Sequence, residues 1–190
     1  MRTFRWFCSL SLVMLVALGC SEDAPSPSAV EADAVAPLLN QGQGQVPAAR
    51  NFVAPLSGDE EVPPADTDAR GFTHFQLNRA GDALDYRLIV ANIENVTMAH
   101  IHVGPRGVNG PVVVWLYPEG PPPQLIEGRS DGILATGSIT ADDLVGQLEG
   151  GTLDDLLELL HAEGAYVNVH TSQFPPGEVR GQIRPAGPGN

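Results

Sequence analysis

The sequence predicts a mainly β fold, an antiparallel Greek-key sandwich or barrel with one or two short helices ahead of its last two strands. Three observations predict it. Gly 21 and Pro 17 with only 6% aromatic residues describe a turn-rich chain. From Phe52 onward, short alternating runs are cut by Gly, Pro and Asn at intervals of about 10 residues, the pattern of a sandwich or barrel. An apolar content of 43% supplies a core and excludes global disorder. At 190 residues the chain has room for one domain and a tail, which excludes large multidomain enzymes.

The first element is a targeting segment. Arg2 and Arg5 precede an apolar stretch from Trp6 to Leu18, too short for the roughly 20 residues of a membrane-spanning helix and suited to the core of a cleaved signal peptide over residues 1–19. The stretch ends in Ala17-Leu18-Gly19-Cys20, which resembles the lipobox of bacterial lipoproteins, although Ala17 and Leu18 stand in the opposite order to the usual one. That resemblance implies a lipidated Cys20 as the first mature residue, and Ser21 after it points to the outer membrane. Residues 20–50 are rich in Ala, Pro, Ser, Gln and Gly without hydrophobic periodicity, and so read as a flexible linker. About 30 such residues reach roughly 30 Å, enough to hold a domain clear of lipid.

The domain then runs over residues 51–184. Thr73, Phe75 and Leu77 alternate with Phe72, His74 and Gln76, and Leu84, Tyr86, Leu88 and Val90 with Asp85 and Arg87, so each run has one face suited to a core. Strands at 97–103 and 112–117 flank Asn109-Gly110, residues that tolerate positive φ in a hairpin turn. A further strand lies near 133–139. Thr140-Ala-Asp-Asp143 and Thr152-Leu-Asp-Asp155 are helix N-terminal signals, and Leu153, Leu156, Leu157 and Leu160 form one apolar stripe that packs on the sheet. Strands at 165–171 and 178–184 close the domain, and a disordered tail over 185–190 should fray.

Charge and cysteine content narrow the function. All ten basic residues are Arg, against 23 acids, for a net charge of −13, and cleavage of residues 1–19 would remove two of those arginines and no acid. Such a chain repels a phosphate backbone, so nucleic acid is excluded as a partner. Cys8 and Cys20 both lie outside the domain, which therefore has no disulfide, no thiol catalysis and no Cys-ligated zinc. No serine stands in a Gly-x-Ser-x-Gly context. Asp59-Glu60-Glu61 reads as a solvated loop with a calcium site as the alternative, and Asp154-Asp155 as a helix first turn.

Histidine carries what chemistry the sequence offers. In Ala99-His100-Ile101-His102-Val103 the strand period places both imidazoles on one face, about 7 Å apart along the strand. In Ala165-Tyr166-Val167-Asn168-Val169-His170 it places Tyr166, Asn168 and His170 opposite the apolar residues. Neutral imidazoles ligate zinc and copper, and three of them leave a position open. His100, His102 and His170 are thus the candidate metal ligands, Tyr166 and Asn168 the residues that would support them, and exposed or hydrogen-bonded strand histidines the alternative. His161 reads as a helix C-terminal cation and His74 as an exposed strand residue.

Leu56-Ser57-Gly58, Glu61-Val62-Pro63-Pro64, Thr67, Gly71, Ala99 to Gly104, Asn109 to Val113, Ala165 to Thr171 and Gly177 to Ile183 together resemble the chordin-type (CHRD) domain over about Phe52 to Arg184. The resemblance implies an extracytoplasmic β-sandwich acting as a binding module for a protein or small-molecule partner, here lipid-anchored in the cell envelope or secreted. At the site alone, the order of a His-x-His strand, a Val-x-His strand and a Gly-rich last strand is similar to copper–zinc superoxide dismutase. That similarity implies a superoxide-dismutase-like fold with copper on His100, His102 and His170, zinc being the alternative, and, as a second function, a copper-dependent redox enzyme. The bridging histidine, the zinc cluster and the disulfide of that family are absent here, and Arg180 does not align cleanly with its active-site arginine.

Overall fold

The computed structural model describes residues 49–187. The expected leader, Cys20, the linker up to residue 48 and the last three residues of the tail lie outside them. The elements are β1 (Asn51–Ser57), β2 (Arg70–Leu77), β3 (Leu84–Val103), β4 (Val112–Tyr117), β5 (Ile126–Ile139), α1 (Leu153–His161), β6 (Ala165–Thr171), β7 (Val179–Gln182) and β8 (Arg184–Pro185). Every strand pairing is antiparallel.

β3 organises the fold. Its first half pairs with β2 and its second with β6, closing β2-β1-β7-β6-β3 into a barrel. β4 and β5 attach to the other edge of β3. The barrel is filled by inward alternating residues, among them Phe52, Leu56, Phe75, Leu88, Ile101, Val167 and Val179, all buried. The four leucines of the α1 stripe are buried, each fully buried side chain contributing roughly 1.5–3 kcal/mol. The helix begins in a capping box in which Thr152 and Asp155 satisfy each other's backbone N–H groups.

The structure corrects several expectations. The runs at 84–90 and 97–103 are one continuous strand, because nothing between them breaks the chain; Asn92 and Asn95 take positive φ, 57° and 54°, and bulge it instead. β5 starts earlier than expected, at Ile126, with Gly128 and Gly132 in left-handed conformations along it. The Thr140 signal yields only a three-residue 3-10 turn, Ala141–Asp143. In the 104–111 loop the positive φ belongs to Gly107, at 78°, rather than to Asn109 or Gly110.

β1 has no counterpart among the expected strands, and Pro55 stands at its centre, where a proline would ordinarily be confined to a sheet edge. Pro55 lies between the pairings of Val53 with β8 and Ser57 with β7, on an edge where the ladder asks nothing of residue 55. The tail does not fray at once: Pro185 pairs with Phe52, and Ala186 N–H donates to Asn51 O.

Three loops position the site, those over 58–69, 104–111 and 172–178. They cover the outward face of β6 and the second half of β3, so every residue of β6 is buried although its side chains alternate. Glu178 ties two of these loops together, its carboxylate accepting from Thr67 Oγ1 and Thr171 Oγ1, each at 2.7 Å.

Candidate metal centre

The covered face of the sheet is a second, polar core. In register, His100 of β3 stands between Trp115 of β4 and Asn168 of β6, and Asn168 faces Arg180 of β7. The next row sets His102 beside Tyr166 and Tyr166 beside Gln182. His170, two residues from Asn168, completes a triangle with the two β3 histidines, with ring centroids 5.1, 5.5 and 5.9 Å apart. One ligand atom from each lies within 4.8 Å of the others, and among the described residues these three form the one such grouping of His, Cys, Asp and Glu.

The tautomers are set by backbone carbonyls. His102 Nδ1–H donates to Gly110 O and His170 Nδ1–H to Pro175 O, both at 2.9 Å, so each ring keeps its lone pair on Nε2. Metal-ligating histidines are oriented in this way. His100 Nδ1 lies 3.2 Å from His170 Nε2, which makes it the donor there. His100 Nε2 and His102 Nε2 are buried without partners. A buried lone pair without a donor or cation is costly, and the site holds two.

The rings are 3%, 9% and 6% exposed in chain order, so the strand histidines are not solvent-facing. Burial pushes His100 down to about 3 and His102 down to about 4, and lowers His170 as well. All three are neutral at pH 7, the form that ligates. An ion held by three imidazoles at about 2.0–2.1 Å sets its nitrogens roughly 3.3–3.5 Å apart. The 3.2 Å between His100 Nδ1 and His170 Nε2 already matches for a His100 that binds through Nδ1 with its proton moved to Nε2, and no separation in the set exceeds 4.8 Å.

Tyr166 and Asn168 sit differently with respect to the histidines. Tyr166 stacks on His102, with centroids 5.0 Å apart and planes at 11°, and its hydroxyl accepts from Gly110 N–H, the residue whose carbonyl holds His102. Asn168 makes no hydrogen bond to a histidine; its amide nitrogen is 3.5 Å from Glu61 Oε2 and from Pro176 O.

A family model described as the CHRD domain matches residues 52–183. The chain belongs to the CHRD-domain family. No curated protein and no solved structure matches it. The matched span of the CHRD domain contains the barrel from Phe52 onward and all three covering loops.

Four residues of the CHRD polar core escaped the sequence reading. Glu61, taken for part of a solvated loop, is buried, its carboxyl pushed up to about 7 by desolvation against the opposing pull of Arg180. Its neighbours diverge: Asp59 is exposed and Glu60 pairs with Arg106, so the calcium alternative finds no cluster. Arg180 is 1% exposed, donates to Asn109 Oδ1, Pro105 O and Val108 O, and lies 3.4 Å over the Tyr166 ring. Trp115 meets His100 edge-on at 4.2 Å. Gly110 is the fourth: a Cβ there would fall 1.6 Å from Val103 O. The available signal was that Glu61, Asn109-Gly110 and Arg180 all stand inside the motifs that carry the resemblance. His161 stands in the last turn of α1, as expected, and its ring packs edge-on against Phe52; His74 is exposed as expected.

Proposed function

We propose that this CHRD domain is a non-catalytic binding module of the cell envelope that holds one copper or zinc ion on His100, His102 and His170, tethered through a lipidated Cys20. One observation carries the metal reading: three neutral, buried imidazoles converge, and backbone carbonyls on two of them free the Nε2 lone pairs. In the metal-free protein the His100–His170 hydrogen bond occupies one of those lone pairs, so an ion displaces it. Tyr166 and Gly110 orient His102, and Trp115 walls off His100. The usual divalent series ranks Cu²⁺ above Zn²⁺ on such a nitrogen set. Bound there, the ion would tie β3 to β6 beneath the covering loops.

The rival reading, a copper-dependent redox enzyme, asks for an accessible coordination position and a guiding cation. The rings are nearly buried beneath three loops, and the guanidinium of Arg180 is committed to three acceptors and the Tyr166 face. Both features favour binding over turnover.

The test is metal uptake. Metal-depleted protein is expected to take up one Cu²⁺ or Zn²⁺ per chain, with Cu²⁺ quenching the fluorescence of Trp115. His102→Ala and His170→Ala each lower the affinity by at least about 100-fold. Wild-type protein that takes up neither ion overturns the reading. Superoxide or peroxide turnover that disappears with His102→Ala would establish the rival.

A further inference from the structure

The outer face of the barrel carries a feature the metal centre does not use. Strand register brings Pro55 of β1 opposite Phe72 of β2, Phe72 opposite Ile89 of β3, and Ile89 opposite Ile133 of β5. All four point outward, and Phe72, Ile89 and Ile133 are 41%, 37% and 55% exposed. They form one apolar row across four adjacent strands, about 14 Å long at the usual strand spacing. Isolated exposed apolar residues are ordinary, but a contiguous row is a mark of an interaction surface.

The row is edged by positive charge in a strongly acidic chain. On one side the register sets Arg184, Val53, His74, Arg87 and Thr136 in line; on the other stands Arg70, opposite Ala91. At its β1 end the row opens on a cleft of about 340 Å³ whose lining includes Arg70, Arg106 and Arg184. Glu60 neutralises Arg106, whereas Arg87 and Arg184 have no salt bridge among the described residues.

We propose that this row is the docking surface for an acidic, amphipathic segment of a partner protein. Charge selects against the other occupants. Two copies of the chain related by a two-fold axis would set the arginines against one another. An anionic bilayer would be repelled by the chain's net charge of −13. Spacing selects the form of the segment. A helix laid along the row presents apolar residues about every 5 Å, near the strand separation of about 4.8 Å, whereas same-face residues of an extended strand recur only about every 7 Å. The partner's carboxylates would meet Arg70, Arg87 and Arg184, which fixes its polarity and makes docking salt-sensitive.

The experiment uses the purified protein and three synthetic probes of about 15 residues: an amphipathic helix with Leu at i, i+4, i+7 and i+11 and Glu on its polar face, the same peptide with Lys for Glu, and a scramble of the first. The Glu helix is expected to bind and the other two not. Backbone NMR shifts should gather on residues 53–55, 70–74, 87–91 and 133–136. Ile133→Glu and the double change Arg70→Glu with Arg87→Glu should each weaken binding at least about 10-fold without altering the fold by circular dichroism. No binding of the Glu helix, equal binding of the Lys helix, or shifts gathered elsewhere would overturn the proposal. So would dimerisation, or co-sedimentation with phosphatidylglycerol vesicles, that Ile133→Glu abolishes. Metal binding plays no part in any of these readouts.

Discussion

At the scale of single residues, the site is governed by what burial does to acids and bases of opposite kind. A histidine buried neutral resists protonation when folded but accepts a proton near pH 6.5 when unfolded. With folded values of about 3 for His100 and about 4 for His102, the unfolded state binds more protons between those values and 6.5. Stability contributed by the neutral rings is therefore complete above pH 6.5 and falls on acidification toward pH 4, by several kcal/mol in all.

Glu61 has the opposite sign. Its folded value of about 7 lies above the 4.5 of a free carboxyl, so between the two the folded state holds the extra proton, and stability falls as pH rises. Metal-free wild type should lose melting temperature steeply below pH 6.5. The melting temperature of Glu61→Gln relative to wild type should climb as pH rises from 4.5 to 7, since the amide never has to ionise. Parallel thermal melts of the two proteins across pH 4–8 check both statements, and a difference that does not change with pH would remove Glu61 from the account.

At the scale of elements, the histidine cluster depends on how closely backbones approach. The β3–β4 connection brings Gly110 against Val103 O so tightly that even a methyl has no place, and the same glycine supplies both the acceptor for His102 Nδ1 and the donor for the Tyr166 hydroxyl. Gly110→Ala is expected to displace the 104–111 loop, destabilising the domain by about 3 kcal/mol and lowering metal affinity by about 10–100-fold. Denaturant melts and metal titrations of the same sample separate the two effects. An unchanged affinity would show that His102 does not need its carbonyl. β5, at the outside of the sheet, carries the Arg129–Asp131 pair and two left-handed glycines along it, devices that keep an edge strand from pairing with another chain.

At the scale of the whole molecule, the domain folds without a cysteine, and both cysteines precede it. Cys20→Ser is therefore expected to leave the circular dichroism and melting temperature of the domain unchanged while moving the protein from the membrane fraction to the soluble one. Radiolabelled-palmitate incorporation followed by fractionation checks it, and wild-type protein found unlabelled and soluble would retire the tether.

The sequence by itself determined the alternation of strand residues, the capped helix with its leucine stripe, the lack of cysteine in the domain, and the sharing of one strand face by His100 and His102. Each of these is a local matter of period, cap or composition. Only the tertiary structure decided that 84–103 is a single strand, that β6 lies beside it so that His170 meets the other two histidines, and that the face opposite the barrel interior is roofed. Roofing is what turns Glu61 and Arg180 from surface charges into buried ones, and it arises from loops distant in sequence that share no periodic signal. The outward row from Pro55 to Ile133 has the same origin: each residue is an unremarkable apolar member of its own strand, and only the register across four strands makes them neighbours.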